Sequence, residues 1–372
     1  MTGRGWRLPF RLVGIPLSLD PTFALVLPLF AWLIASQVPA YAQLLAALGI
    51  SVDGAALSAG TTPYLLGLTA ALGLFTSVVI HELGHALTAR RYGVATRGIT
   101  LWFLGGVAQL EDMPRQRGAE AVVAIAGPIT SAAMSGLLAL ALRTLTLPDG
   151  ATFVVAYLAI TNMALALFNL LPALPLDGGR ELRSLLALAL PRERATNIAG
   201  AVSQLLAVAL GVYGFLSLNL LLMAVAFFVY NAGRAEVQAE RLRSAFAGRD
   251  VREFMTRDPI TIDVTMPLDR FVALKTWKRH PCYPVVESDG RLLGIARIAD
   301  AEAAEPGTPM RRLVGPAETV SPDTAMERAV AQLAGSEVGR LIVIDTVQHV
   351  IGVLAKTDVV RALERMRAGH DA

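Results

Sequence analysis

His81, Glu82 and His85 fall within one run, LFTSVVIHELGHALTARRYG, at positions 74–93. Four residues apart on a helix, the two imidazoles point the same way and can share one metal ion. Glu82 is turned about 100° from His81, so its carboxylate reaches the open coordination position, as suits a general base acting on water. A helical histidine pair can also be two satisfied side chains. The surrounding residues argue otherwise, because they are apolar enough to lie in lipid, where an ionisable group is costly and marks function by default. Gly84 leaves room on that helix for a close neighbour.

Zinc needs a third protein ligand if water is to keep the fourth place. Position 91, where one class of proteases would carry a further histidine, is Arg91, and the remaining histidines (His280, His349, His370) lie in the second half of the chain. The third ligand is therefore expected to be a carboxylate at membrane depth. Most acidic residues of the first half sit among arginines. Asp177 does not: it ends an apolar run, LFNLLPALPLDGGRELRSLL, broken by Pro172 and Pro175. Prolines there end regular helix, which a membrane protein tolerates where the chain lines a cavity. Gly178 and Gly179 allow close packing beside the carboxylate. An interfacial turn is the plainer alternative for Leu-Asp-Gly-Gly.

The elements that must position these groups follow from composition. Of 372 residues, 54% are hydrophobic and 17% charged, with a mean hydropathy of +0.53. Soluble domains carry nearer a quarter charged residues. The first 248 residues hold 16 Arg, no Lys and 12 acidic residues, whereas the rest hold 17 basic and 18 acidic residues in about half the length. The chain therefore divides into a membrane half and a soluble half. A net charge of +3, dispersed between apolar runs, excludes nucleic acid as a natural partner. The lone Cys282 permits neither an intramolecular disulfide nor a cysteine zinc site.

Spans of roughly 17–25 apolar residues cross a bilayer. Candidates are 22–37, 63–89, 119–142, 151–171, 198–213 and 215–230, the last two forming either a hairpin pair or one longer span. The first run has no Ala-x-Ala cleavage site close behind it and reads as a retained span. Arg4, Arg7 and Arg11, then Arg90, Arg91, Arg97, Arg115 and Arg117, then Arg180, Arg183, Arg192 and Arg194 fall on one side; Arg143 alone falls on the other. The positive-inside rule then puts both termini in the cytoplasm. With Arg90 and Arg91 at the cytoplasmic end of the second span, His85 lies about 8 Å and His81 about 14 Å below it at 1.5 Å per residue. Water can reach that depth from the cytoplasm while a substrate arrives sideways from lipid.

HELGH followed about ninety residues later by NLLPALPLDGG resembles the site-2 protease family of intramembrane zinc metallopeptidases, over residues 6–245. The resemblance implies one zinc ion on His81, His85 and Asp177, with Glu82 as catalytic base. Asn169, in the family's Asn-x-x-Pro position, would contact the substrate backbone or the developing oxyanion, an interhelical hydrogen bond being the alternative. LWFLGGVAQLED (101–112), with Gly105 and Gly106, resembles the family's re-entrant β-hairpin, which would hold an extended substrate by strand addition; a plain cytoplasmic loop is the alternative. AIAGPITS (124–131) resembles the family's Ala-Gly-Pro signature. Some members carry Asn where this chain has Ser131, and no catalytic role is assigned there.

Beyond a helical linker at 232–248 come two similar units about sixty residues apart, 249–306 and 307–367. In each, a short strand precedes a helix, two β-rich runs flank a turn, and a helix closes the unit. This repeat resembles a tandem cystathionine-β-synthase (CBS) pair, of the kind that binds adenine nucleotides between repeats. Nucleotide-binding members carry Ser or Thr three residues before an Asp; here Arg297 precedes Asp300 and Ala355 precedes Asp358. Asp300 and Asp358 remain as candidate nucleotide contacts, but each lost hydroxyl removes a ribose contact, so a homodimerising or gating module is the stronger expectation, with the two aspartates as helix caps in that case.

The expected fold is thus a polytopic α-helical membrane domain (1–231) of about six transmembrane helices with a re-entrant β-hairpin, plus a C-terminal α/β CBS pair. The expected activity is zinc-dependent cleavage, in the plasma membrane of a prokaryote, of a membrane-tethered regulator or a signal-peptide remnant. A transporter with a CBS regulator would show repeats among its spans, and none is evident. A catalytically dead scaffold would have no reason to keep Glu82 and every expected ligand.

Overall fold

The computed structural model of the protein describes residues 6–102, 105–110, 116, 118–277, 280–336 and 338–368. Arg4, Arg115, Arg117, His370, both termini and positions 103, 104, 111 and 112 of the hairpin segment lie outside the described residues. Two compact units divide at Glu240 and Arg241.

The first unit opens with an element that the charge pattern did not foretell. Trp6–Leu12 (β1) and Ile15–Leu19 (β2) form a hairpin turned at Val13 and Gly14, both at positive φ. Thr96–Trp102 (β3) and Gly105–Leu110 (β4) complete a four-stranded sheet in the order β1-β2-β3-β4. Arg7 and Arg11, before the first apolar run, therefore lie on a strand. Ile15 and Leu17 of β2 and Ile99 and Leu101 of β3 bury against Val26, Phe75, Val79 and Ala86.

The first apolar run is Phe23–Ser36 (α1), bent by 58° into Val38–Ala47 (α2). The expected first span, 22–37, corresponds to α1, whose 14 residues fall short of a bilayer crossing unless α2 continues it. A short turn of helix, Gly54–Leu57 (α3), precedes Thr62–Arg91 (α4), the helix of the histidine pair. Ala119–Thr144 (α5), Asp149–Asn169 (α6), Asp177–Leu186 (α7), Arg192–Leu216 (α8) and Leu220–Phe246 (α9) follow. Among the described residues, α4, α5, α6, α8 and α9 are the five helices long and apolar enough to cross a membrane, or six spans if the bent pair counts as one. The tract 198–230 is therefore two helices. Their outer faces expose Leu65, Leu137, Leu205, Leu221 and Phe227, each more than half accessible, an apolar surface that water would not tolerate at this extent.

Helix-to-helix contact in this unit uses small residues and buried polar pairs. A side chain at Gly84 would collide with Thr130 and the Ala126 carbonyl of α5, so α4 and α5 pack backbone to backbone. Asn162 of α6 donates to Ser77 Oγ of α4 at 2.9 Å.

The second unit contains Thr256–Arg257 (β5), Ile262–Asp263 (β6), Leu268–Trp277 (α10), Cys282–Val286 (β7), Leu292–Arg297 (β8) and Ile298–Glu302 (α11). Thr319–Val320 (β9), Met326–Gly335 (α12), Arg340–Ile344 (β10), Val350–Ala355 (β11) and Lys356–Ala368 (α13) repeat the pattern. In both repeats a parallel pair is followed by an antiparallel one, β6-β7-β8 and β9-β10-β11. Even the register slips match, at Val285/Val286 and Val343/Ile344. β5 of the first repeat joins the sheet of the second, beside β11.

Candidate active site

α4 carries His81, Glu82 and His85, all inside the helix, and α7 begins at Asp177. His81 Nε2 lies 3.1 Å and His85 Nε2 3.2 Å from Asp177 Oδ2, and the two imidazole nitrogens are 3.2 Å apart. A tetrahedral ion with arms of about 2.0–2.1 Å spaces its ligand atoms about 3.3 Å apart, so this triangle is the size of one zinc face. His85 Nδ1 lies 2.8 Å from the Val123 carbonyl oxygen. That oxygen can only accept, so Nδ1 carries a proton, and in the neutral imidazole Nε2 keeps the lone pair with which it would bind a metal. The donor set fits zinc.

The third wall is α5. His81 Nδ1 lies 2.9 Å from Ser131 Oγ, and a side chain at Gly127 would run into Nε2 of both histidines. Ser131, given no role from sequence, is thus the partner that orients one imidazole. Val123 acts through its backbone, which no side-chain pattern could reveal. For Ser131 the signal was present: its motif continues the Ala-Gly-Pro run over the site.

Glu82 faces β4. Its Oε2 accepts the Ala108 backbone N–H at 2.8 Å, and a Cβ on Gly106 would strike the Glu82 side chain. Ala108 pairs with Ile99, and Val107 with Thr100. The Ala108 N–H points away from β3, so the outer edge of β4 faces the carboxylate. Gly105 has φ +129° at the start of this strand, a value that glycine alone adopts readily. A cavity of about 330 Å³ joins His81, Glu82, His85 and Asp177 with Gly105, Gly106, Asn169 and Arg180. Asn169 lines it while its Nδ2 donates to the Leu165 carbonyl of its own helix at 3.0 Å. The interhelical hydrogen bond weighed for Asn169 is instead made by Asn162.

Asp177 is brought within reach by the turn before α7. Side chains at Gly178 and Gly179 would collide with the backbone of residues 170–174, so the first turn of α7 lies directly on that loop. Arg183, 4% exposed, forms ion pairs with Glu120 of α5 and with Glu236 of α9, the latter at 3.2 Å. Arg180 reaches the same Glu236 oxygen at 3.7 Å, and Arg192 of α8 holds the other Glu120 oxygen at 3.2 Å. These arginines read from sequence as charges flanking spans; three of them are ion-paired between helices.

The sequence matches peptidase family M50 over residues 69–149 and 143–210, and CBS domains over 251–304 and 310–365. A zinc metalloprotease of Methanocaldococcus jannaschii is 29% identical over 354 residues, 95% of each chain. The Mycobacterium tuberculosis protein Rip3, named as a zinc metalloprotease, is 30% identical over 383 residues, 96% of this chain and 92% of that one.

The chain belongs to peptidase family M50, the site-2 protease family.

Among solved structures, the site-2 protease from Methanocaldococcus jannaschii is 30% identical and covers 63% of this chain and 95% of its own, with a TM-score of 0.43. The M50 chain is a membrane metalloprotease with a CBS pair attached.

In that pair, Asp300 lies in the first turn of α11 and lines a cavity of about 370 Å³ with Arg297, Cys282 and Arg340. Burial pushes the Cys282 thiol up from its ordinary range, opposed by the nearby Arg340 and Arg297. Asp358 is used differently. Its Oδ2 accepts the Ala355 N–H at 2.9 Å and its Oδ1 the Thr256 hydroxyl at 3.4 Å, which makes it a cap at the start of α13.

Proposed function

We propose that this protease cleaves a peptide bond in or near a transmembrane segment of a membrane-tethered regulatory protein or a signal-peptide remnant. The observation that carries the reading is the convergence of His81, His85 and Asp177 within 3.2 Å, next to Glu82. His81, His85 and Asp177 hold one zinc ion per chain, His85 through the tautomer that the Val123 carbonyl selects and His81 through Ser131. Zinc, when bound, polarises the scissile carbonyl and makes water a nucleophile near neutral pH. Glu82 takes the proton from the attacking water and hands it to the leaving amine. Asn169 contacts the substrate backbone or its oxyanion. The outer edge of β4, with Gly105 and Gly106, re-enters the membrane and holds the unwound substrate as an added strand.

In this reading α1 and α2 together make a sixth span, both termini are cytoplasmic, and the membrane is the plasma membrane of a prokaryote. The CBS unit is a regulatory or dimerising module. The cavity lined by Arg297, Asp300 and Arg340 supports one adenine-nucleotide cleft, on the Asp300 side, since Asp358 is engaged as a cap. The test is to compare membrane peptides in cells with the intact and the Glu82→Gln protein. Peptides that accumulate only with Glu82→Gln are the substrates; identical peptide populations would overturn the assignment.

A further inference from the structure

The third metal ligand stands on the least hydrophobic helix of the first unit. α7 has ten residues, and those it buries are Gly178, Gly179, Arg183 and Ser184. Leu182 and Leu186 are only partly buried and Leu185 is exposed, so apolar burial contributes little to its place. Polar ties add to the close seating of Gly178 and Gly179. Ser184 Oγ accepts the Ala121 N–H of α5 at 3.1 Å, Arg183 pairs with Glu120 of α5, and Glu236 of α9 meets both Arg183 and Arg180.

We propose that Arg183 and Glu236 are positioning residues for the metal site: their ion pair, closed on its other side by Glu120, holds α7 where Asp177 meets the histidine pair. The inference rests on the metalloprotease reading of Asp177 and goes beyond it. Asp177 sits at the first position of α7, so a tilt or slide of the helix moves the carboxylate while His81 and His85 stay on α4. Arg183 is enclosed, so loss of either carboxylate leaves its charge undercompensated in a dry site, where a broken pair is much more disruptive than on a surface. Glu236 rides on α9, the helix within which the chain leaves the first unit. A displacement of α9 therefore reaches Asp177 through the ion pairs of Glu236 with Arg183 and Arg180.

The test uses the full chain in detergent, with Glu236→Gln, Arg183→Met and the conservative Arg183→Lys. Zinc affinity is read by chelator competition, the cobalt-substituted protein by its visible spectrum, and the metal-free protein by amide hydrogen exchange. Glu236→Gln and Arg183→Met should weaken zinc binding about 10- to 100-fold, as loss of an outer partner of a ligand does, and alter the cobalt spectrum. Exchange in the metal-free protein should speed up about tenfold across 178–186 and not in α4. Arg183→Lys should recover part of both effects. Unchanged exchange in α7 with unchanged zinc affinity would overturn the proposal, as would equal acceleration in α4, α5 and α6. If Arg183→Met does not fold, Glu236→Gln decides. A wild-type chain that takes up no zinc would instead sink the metalloprotease reading, and exchange in α7 would still judge the latch.

Discussion

Asp177 Oδ2 lies within 3.2 Å of two imidazole nitrogens, and three ligand atoms converging at that spacing suit a metal cation. Two consequences belong to single residues. In the proposed mechanism Glu82→Gln keeps the ligand set but removes the base, so zinc content should remain at wild-type level while the cleavage rate falls by about 10²–10⁴-fold. Zinc analysis of the purified variant beside a peptide-cleavage assay checks this, and cleavage surviving with metal present would refute the role. Gly127→Ala places a methyl group against both Nε2 atoms. That variant should lose zinc and activity together, with metal analysis as the measurement. Neither outcome depends on where the substrate binds.

At the scale of elements, strand and helix meet in one hydrogen bond, from Ala108 N–H to Glu82. Because that N–H is on the outer edge of β4, Ala108→Pro removes it without breaking the ladder to β3, a place where a sheet tolerates proline. The expected result is an intact fold with zinc retained and cleavage reduced at least about tenfold, since the base loses its orienting donor. Circular dichroism, zinc content and a cleavage assay measure the three together. A variant as active as wild type would mean that β4 does not orient Glu82. The same scale shows a second use for the arginines of 172–197. Positive charge beside apolar runs is what the positive-inside rule counts, yet Arg183 is enclosed by Glu120 and Glu236, acids 63 and 53 residues away. Proximity in sequence could not announce those partners.

For the whole molecule, the division between an apolar half and a charged half reproduces the two families matched. Within the CBS unit the repeats diverge in use: one Asp caps its helix and the other lines a cavity. Cys282 lies in that cavity, and burial holds its thiol protonated at neutral pH. Alkylation by a small maleimide should therefore be slow, because the thiolate is the reactive form. Saturating AMP, ADP or ATP should slow it further, and titration of the 245–372 fragment with the same nucleotides should release heat. No protection and no heat with any of them would leave the unit as a dimerising or gating module.

The residues that converge at the candidate metal site were legible because their chemistry is local. His81, Glu82 and His85 share one helical face, and an aspartate beside prolines in an apolar run has few structural uses. The CBS repeat was equally legible, since its strands and helices recur at one spacing. The N-terminal strands were not, because Arg7 and Arg11 alternate with apolar residues in a segment that also satisfies the charge rule for a membrane flank. The partners of Arg183 and the Nδ1 hydrogen bond of His85 depend on groups tens of residues away. Such pairings carry no periodic signature along the chain, and they form only when α5, α7 and α9 pack around α4.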